Sequence, residues 1–120
     1  MKTQIKISLF SLLFALFALP TFAQTAAPKI ATSEFKVEGV CSMCKARIEN
    51  AATIKGVKFA EWDKETGILK VIYKTKLTSE EAIQKAVAAR GHDTENVKSS
   101  DETYAKLPGC CSYRDGLEKH

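Results

Sequence analysis

The spacing of apolar residues changes several times along the first half of the chain. Apolar and polar residues alternate from Ser33 to Val40, the period of a half-buried strand. From Cys44 to Ile54 the apolar residues recur at helical spacing, and Gly56 follows where such a helix would end. Two strand-like segments, Val57 to Asp63 and Ile68 to Lys74, flank a glycine-containing turn typical of a hairpin. This half therefore predicts a strand, a helix and a hairpin.

The second half predicts one more helix and one more strand. Thr78 and Glu81 have the spacing of a capping box, which predicts that a helix starts after Thr78. Gly91 is placed to end that helix, and a weaker pattern from Thr94 to Ser99 predicts a final strand. The resulting order is βαββαβ. It predicts an α+β, ferredoxin-like sandwich with a four-stranded antiparallel sheet and two helices on one face.

The beginning of the chain has the layout of a secretory signal peptide. Lys2 and Lys6 accompany an apolar run over residues 7–19, and small residues lead up to Ala23. The run is too short for a comfortable membrane span. We therefore expect a mature chain from about Gln24, periplasmic or otherwise secreted, with no stable membrane insertion after cleavage.

These boundaries divide the chain into four segments. We expect a signal peptide (1–23), a flexible lead-in (24–32), one domain (33–99) and a C-terminal tail (100–120). The whole chain has a formal net charge of +4; without Lys2 and Lys6, 16 basic and 14 acidic residues give +2. The two signs are interspersed, whereas a nucleic-acid surface normally has a concentrated basic patch. We therefore expect no nucleic-acid partner.

Cys41 and Cys44 form a Cys-x-x-Cys pair where the first strand gives way to the first helix. At this spacing both sulfurs can point at a common centre. The helix N-terminus, Lys45 and Arg47 favour the thiolate form, which is the form that binds metal. Thiolates select soft ions such as Cu(I), and Hg(II) shares that softness. Zn(II) is less expected, because structural zinc sites normally have four ligands.

The position of this pair, and Lys55–Val57 at the entry to the second strand, resemble the heavy-metal-associated domain family. That family includes copper chaperones, modules of copper-exporting ATPases and periplasmic mercury-binding proteins. The resemblance covers about residues 33–99. It implies the ferredoxin-like fold and implies that Cys41 and Cys44 bind Cu(I), Hg(II) or a related ion. The loop here is one residue shorter than usual, and Val40 takes the place of the family's methionine.

Other side chains are candidate ligands. His92 follows the second predicted helix, in a turn that lies beside the metal loop in this fold. It is either a third ligand, a side chain that tunes the thiolates, or an exposed turn histidine with no partner. Met43 carries a thioether between the two cysteines, where a simple exposed or partly packed methionine is the plainer interpretation. His120 is terminal and is interpreted as incidental.

Cys110 and Cys111 form a second pair, in the tail. Adjacent cysteines are poorly placed to bond to each other. They could form disulfides with Cys41, Cys44 or another chain, join the first pair around a metal ion, or present a ligand to a partner. Because the predicted last strand runs away from the metal loop, the tail would have to return. Ten extended residues span about 33 Å, enough for that return.

These observations predict an exported soft-metal-ion carrier, chaperone or scavenger rather than an enzyme. Its expected partner is a metal transporter or a metal-accepting protein, and a metal-bridged dimer is a further form. The alternative is a thiol–disulfide redox protein. Pro28 and Pro108 are the prolines after the signal peptide, and neither is placed to supply the cis-proline loop of a thioredoxin-like site. A small disulfide-stapled interaction domain is the third interpretation.

Overall fold

We describe residues 28–116 of a computed structural model. The predicted signal peptide and His120 lie outside these residues. Three antiparallel strands form one sheet in the order β1-β3-β2: β1 (Ile30–Lys36), β2 (Val57–Trp62) and β3 (Ile68–Lys74). The helices are α1 (Ser42–Ala52), α2 (Glu80–Ala88) and the short α3 (Asp101–Ala105). No helix in this part of the chain is long and apolar enough to cross a membrane.

The core forms between the sheet and the first two helices. Alternating β3 residues and the helical stripes of α1 and α2 supply its apolar side chains, as the periodicity predicted. The fully buried members include Phe35, Ile48, Trp62, Leu69, Val71, Ile83 and Val87. Three of the four cysteines belong to the same buried cluster. The candidate metal-binding side chains therefore lie in the core and not on an exposed loop.

The strands and α1 lie close to their predicted positions. β3 has the predicted bounds, β2 ends one residue early, and α1 begins at Ser42, two residues before the predicted start. β1 begins at Ile30, so the last residues assigned to the lead-in belong to the sheet, and it ends at Lys36, four residues before the predicted end at Val40. Just before it, the Thr75 hydroxyl donates to the Pro28 carbonyl at 2.7 Å and the Thr75 N–H to the Lys29 carbonyl at 3.0 Å. These bonds hold the start of β1 against the end of β3.

The predicted N-cap of α2 is off by one residue. Ser79, not Thr78, accepts a hydrogen bond from the Ala82 N–H, at 3.2 Å. The buried Thr78 hydroxyl has no hydrogen-bond partner in the part of the chain that the structure describes, and Glu81 pairs with Lys85 one turn along. The capping-box spacing thus located the helix but assigned the wrong hydroxyl.

The prediction of a fourth strand is wrong. Within residues 28–116 the sheet has three strands, and Thr94 makes only an isolated bridge with Val37. The segment closes on itself because Thr94 has better partners than a neighbouring strand. Its N–H donates to the Val97 carbonyl at 2.8 Å, and its hydroxyl donates to the buried Gln84 side chain at 2.9 Å. Gln84 also accepts from the Asn96 N–H at 2.9 Å. A turn around Gln84 therefore replaces the strand.

This turn changes the course of the tail. The chain reverses within residues 94–99, so the tail starts beside the metal loop and not at the far end of the domain as predicted. Ser100 caps α3 by accepting from the Thr103 N–H at 3.1 Å. Two single 3-10 turns follow, Gly109–Cys111 and Tyr113–Asp115. The first of these turns contacts α1, and no extended return is needed.

Candidate metal site

The loop between β1 and α1 is held in place from three directions. The Val37 N–H donates to the Gly67 carbonyl at 2.8 Å, and the Glu38 N–H donates to the Asp93 carbonyl at 2.9 Å. The indole N–H of Trp62 donates to the Val37 carbonyl at 3.0 Å. The backbone that leads into Cys41 is therefore fixed by the rest of the fold.

Gly39 leaves no room for a side chain beside the site. A Cβ at this position would lie 3.0 Å from two atoms of the Trp62 ring and 3.1 Å from the Cys44 Cβ. The next residue, Val40, is buried. This glycine lets the indole ring approach the cysteine pair closely.

Cys41 and Cys44 lie at the start of α1 with both side chains in the core. Cys41 is the N-cap residue, in extended conformation, and its carbonyl accepts the Lys45 N–H at 3.1 Å. The two sulfurs are 3.5 Å apart, with Cys41 6% exposed and Cys44 fully buried. The Cys-x-x-Cys spacing thus brings two sulfurs together, as the sequence predicted.

The tail adds a third sulfur. Cys111 is fully buried, and its Sγ lies 2.7 Å from the Cys44 Sγ. The sulfurs of Cys41, Cys44 and Cys111 all lie within 4.8 Å of one another, and none of them is in a disulfide. Among the described residues this is the one group of three or more Cys, His, Asp or Glu side chains that are so arranged.

The neighbouring Cys110 does not join this group. It is partly exposed, and its Sγ contacts the Met43 Sδ at 3.5 Å and the Cys111 Sγ at 3.9 Å. Met43 is 51% exposed. The two adjacent cysteines therefore differ: Cys111 points into the core, and Cys110 lies at the surface against a thioether.

The thiols of the group have different proton affinities. Burial alone would raise the pKa of Cys41, but the backbone N–H of Cys44, the Cys44 thiol, the backbone N–H of Met43 and the Cys111 thiol lower it to about 7. Burial raises the pKa of Cys111, and hydrogen bonding to Cys44 raises it further. At neutral pH Cys41 is therefore readily ionised, whereas Cys111 keeps its proton.

Lys45 and Arg47 have a different task from the predicted one. The Lys45 ammonium donates to the Glu49 carboxylate at 2.7 Å and to the Trp62 carbonyl at 2.8 Å. Arg47 donates to the Arg90 carbonyl at 3.3 Å. These cations anchor α1 to β2 and to the turn after α2. Backbone N–H groups at the start of α1 and the neighbouring Cys44 and Cys111 thiols, and not these side chains, lower the pKa of Cys41.

His92 is neither an exposed turn residue nor a member of the sulfur group. It is fully buried, and its Nδ1 donates to the Glu38 carbonyl at 2.8 Å. Its Nε2 is buried without a hydrogen-bond partner among the described residues. Burial lowers the pKa of His92, so the ring is neutral at neutral pH. The ring stacks on Tyr113, with centroids 5.7 Å apart.

Two residues after the cysteine pair fasten the tail to the domain; we call Tyr113 and Arg114 the tail anchor. The Tyr113 hydroxyl accepts from the Asp93 N–H at 2.8 Å and donates to the Gly91 carbonyl at 2.7 Å. Arg114 donates two N–H groups to the Asp93 carboxylate, at 2.7 and 3.1 Å. It also donates to the Asp101 carboxylate at 3.0 Å. The position of Cys111 is therefore set by contacts outside the sulfur group.

Sequence reasoning did not identify the tail anchor, nor the roles of Gly39, Trp62 and Gln84. The roles of the tail anchor, Gly39 and Trp62 depend on contacts between residues that are distant in sequence. Gln84 and Thr94 are closer, ten positions apart. The signal that was available is local: after one serine, a tyrosine and an arginine follow the cysteine pair. Such a pattern indicates packing of the tail but not its partner.

Known structures share this fold. CopZ metallochaperone is 29% identical with a TM-score of 0.51, and the match covers 53% of this chain and 98% of that one. The N-terminal domain of a potential copper-translocating P-type ATPase from Bacillus subtilis, in the Cu(I)-loaded state, is 25% identical with a TM-score of 0.51, covering 59% and 99%. Oxidized MerP from Ralstonia metallidurans CH34 is 25% identical with a TM-score of 0.47, covering 54% and 96%. A search of curated proteins gave no match.

The sequence model of one protein family covers half of the chain. It matches residues 34–93, which contain all three strands but for the first residues of β1, the Cys-x-x-Cys pair and both longer helices. The tail cysteines lie beyond the match. The chain belongs to the heavy-metal-associated domain family.

Proposed function

We propose that this protein is an exported carrier of a soft metal ion, Cu(I) or Hg(II), which it holds between Cys41 and Cys44 and passes to a metal-accepting protein. One observation carries the proposal. Two buried sulfurs lie 3.5 Å apart at the start of α1, in a domain of the heavy-metal-associated family.

The donor set supports a soft ion over Zn(II). Sulfur ligands favour Cu(I) and similarly soft ions, whereas structural zinc sites are closed by four ligands. The group of converging donors in the described residues contains three sulfurs and neither an imidazole nor a carboxylate. We therefore propose a carrier and not an enzyme.

The proposed partner and compartment follow from the relatives and from the beginning of the sequence. One similar structure is a metallochaperone, and another is the N-terminal domain of a potential copper-translocating ATPase. Both support transfer of the ion to a transporter or another metal-accepting protein. The signal-like residues 1–23 support a periplasmic or otherwise secreted protein. A bound ion would protect the thiolates from oxidation there.

A competition titration tests the function. Purified, reduced mature protein is titrated with Cu(I), Hg(II) and Zn(II) against a chelator of known affinity, and its mass is measured under native conditions. We expect one tightly held Cu(I) or Hg(II) per chain and much weaker Zn(II) binding. An ion shared by two chains would identify the metal-bridged dimer.

The controls are Cys41→Ser and Cys44→Ser, which should each abolish tight binding. Unchanged binding in these variants, or a preference for Zn(II), would overturn the proposed function. N-terminal sequencing of the protein recovered from the exported fraction tests the compartment. A chain that begins at about Gln24 is the expected result, and full-length protein confined to the cytoplasm would contradict export.

A further inference from the structure

We propose that Cys111 is a third thiolate ligand, so that the tail completes a buried three-sulfur site, and that Cys110 is not a ligand. This inference rests on the proposed function and adds the coordination number and the class of ion that the site prefers. Its basis is the convergence of three buried sulfurs from two separate parts of the chain.

The three sulfurs lie close enough together to bind one ion after small movements of their side chains. With a metal–sulfur distance of about 2.3 Å, as for zinc, three sulfurs in a plane around an ion lie about 4 Å from one another. The observed separations are 3.5 Å for Cys41–Cys44 and 2.7 Å for Cys44–Cys111, and all three sulfurs lie within 4.8 Å. Small side-chain rotations that move Cys111 away from Cys44 would therefore make room for the ion.

Cys111 contacts sulfur on both sides and is sealed from solvent. Its sulfur lies 2.7 Å from the Cys44 sulfur and 3.9 Å from the Cys110 sulfur. A core position with no exposure is an ordinary place for an unreactive cysteine. Here, however, the buried thiol contacts Cys44 of the Cys-x-x-Cys motif, and the Cys41 sulfur of that motif lies within 4.8 Å. An ion bound to Cys44 would thus lie next to the Cys111 sulfur.

The tail anchor places this sulfur before any ion arrives. Tyr113 and Arg114 fasten the chain two and three residues after Cys111, through Asp93 and Gly91. Leu107, four residues before it, is buried against Gly91. Because the tail is already ordered on both sides of Cys111, ligation by this residue requires little further loss of conformational freedom.

The third thiolate also distinguishes the two candidate ions. Each thiol that binds releases a proton, so three thiolates leave a net charge of −2 with Cu(I) and −1 with Hg(II). Burying more net charge is more costly in a core. We therefore expect the contribution of Cys111 to favour a soft divalent ion over Cu(I).

X-ray absorption of the Hg(II)-loaded mature protein tests the coordination number. We expect three sulfur ligands in the wild type and in Cys110→Ala, and two in Cys111→Ala. Cys110→Ala is a matched control, since it makes the same change one residue away. In competition titrations we expect Cys111→Ala to weaken Hg(II) binding by about tenfold or more and Cu(I) binding by less, and Cys110→Ala to leave both within about twofold.

The outcomes separate this inference from the proposed function. Two sulfurs in the wild type would overturn the third ligand without any variant, whether or not Cys111→Ala folds. Three sulfurs in Cys111→Ala would overturn it as well. In either case, the proposed carrier function still stands if Cys41→Ser and Cys44→Ser lose metal binding. If those two variants bind as the wild type does, the function itself fails.

Discussion

The two cysteine pairs of this chain differ in how their spacing directs the sulfurs. Cys41 and Cys44 are three positions apart across the start of a helix, and both sulfurs reach the core. Cys110 and Cys111 are adjacent, and one sulfur lies in the core while the other contacts the exposed Met43. The first pair therefore supplies two donors to one centre, and the second pair supplies one.

The two pairs also differ in what holds them. The first depends on the family fold: the β1–α1 loop, fixed by Trp62 and Asp93, presents Cys41. The second depends on the tail anchor, which lies outside the family match. A donor contributed by the body of the domain should thus be indispensable for binding, whereas one contributed by the tail should adjust affinity and selectivity.

The largest expected effect is the loss of metal affinity when one whole cysteine pair is removed. We expect the Cys41→Ser/Cys44→Ser double variant, which keeps both tail cysteines, to lose Cu(I) and Hg(II) affinity by about a thousandfold or more. The Cys110→Ser/Cys111→Ser variant should still bind, with a far smaller loss. Competition titration of both proteins measures the difference, and equal losses would show that the two pairs are equivalent.

The next largest effect should come from filling the space beside Cys41 and Cys44 with a side chain. We expect Gly39→Ala to lower the free energy of unfolding of the ion-free protein by about 1–3 kcal/mol, because its Cβ would press on Trp62 and Cys44. Gly109→Ala is the control, since a Cβ there has nothing within 4 Å. Guanidinium denaturation compares the two variants. If Gly39→Ala is as stable as Gly109→Ala, the indole does not constrain the loop.

Weakening the tail anchor beside the second pair should lower the free energy of unfolding by less. Tyr113→Phe removes the hydroxyl that bonds the Asp93 N–H and the Gly91 carbonyl, and we expect a loss of about 1–2 kcal/mol in the free energy of unfolding. Tyr104→Phe is the matched control, because within residues 28–116 the Tyr104 hydroxyl accepts only the exposed backbone N–H of Arg114. This substitution should change the free energy of unfolding by less than about 0.5 kcal/mol. Guanidinium denaturation measures both variants. A larger loss of stability in Tyr104→Phe than in Tyr113→Phe would contradict the role of Tyr113 in the tail anchor.

Acid should produce the smallest effect. Burial alone would raise the pKa of the Asp93 carboxyl, but hydrogen bonds from Arg114 and the Ser99 N–H lower it. A lowered pKa means that this contribution to stability is complete above the ordinary value of about 3.9 and is lost as pH falls through the folded-state value. We expect the tail to stay docked at pH 5 and to loosen below about pH 4, as followed by the NMR signals of the Tyr113 ring.

Asp93→Asn provides the control for this titration. It removes the ionisable group, so the step in the Tyr113 signals below pH 4 should disappear. Persistence of the step would assign the transition to another carboxylate.

Much of the domain could be predicted because its signals are local. The alternation along β3 and the glycine at residue 67, which has a positive φ of 74° in the hairpin turn, both follow from neighbouring residues. The Cys-x-x-Cys pair is also a local pattern at an element boundary. These features need no knowledge of distant partners.

The fourth strand and the tail could not be predicted in the same way. Thr94 to Ser99 has a weak strand pattern, and the deciding contact is with the Gln84 side chain on α2. Likewise, the expectation that the tail starts far from the metal loop followed from that strand. Only the cap at Ser100, whose hydroxyl accepts the Thr103 N–H, was a local signal for α3.

The burial of the three sulfurs has a consequence for how the protein is loaded and emptied. Cys41, Cys44 and Cys111 pack in the same apolar cluster as Ile48 and Trp62. Small domains whose structure is organised by a metal ion unfold when it is removed. Here the three cysteine side chains are themselves part of the packed core, so the empty protein should keep its fold. A carrier that keeps its fold when empty can be used again.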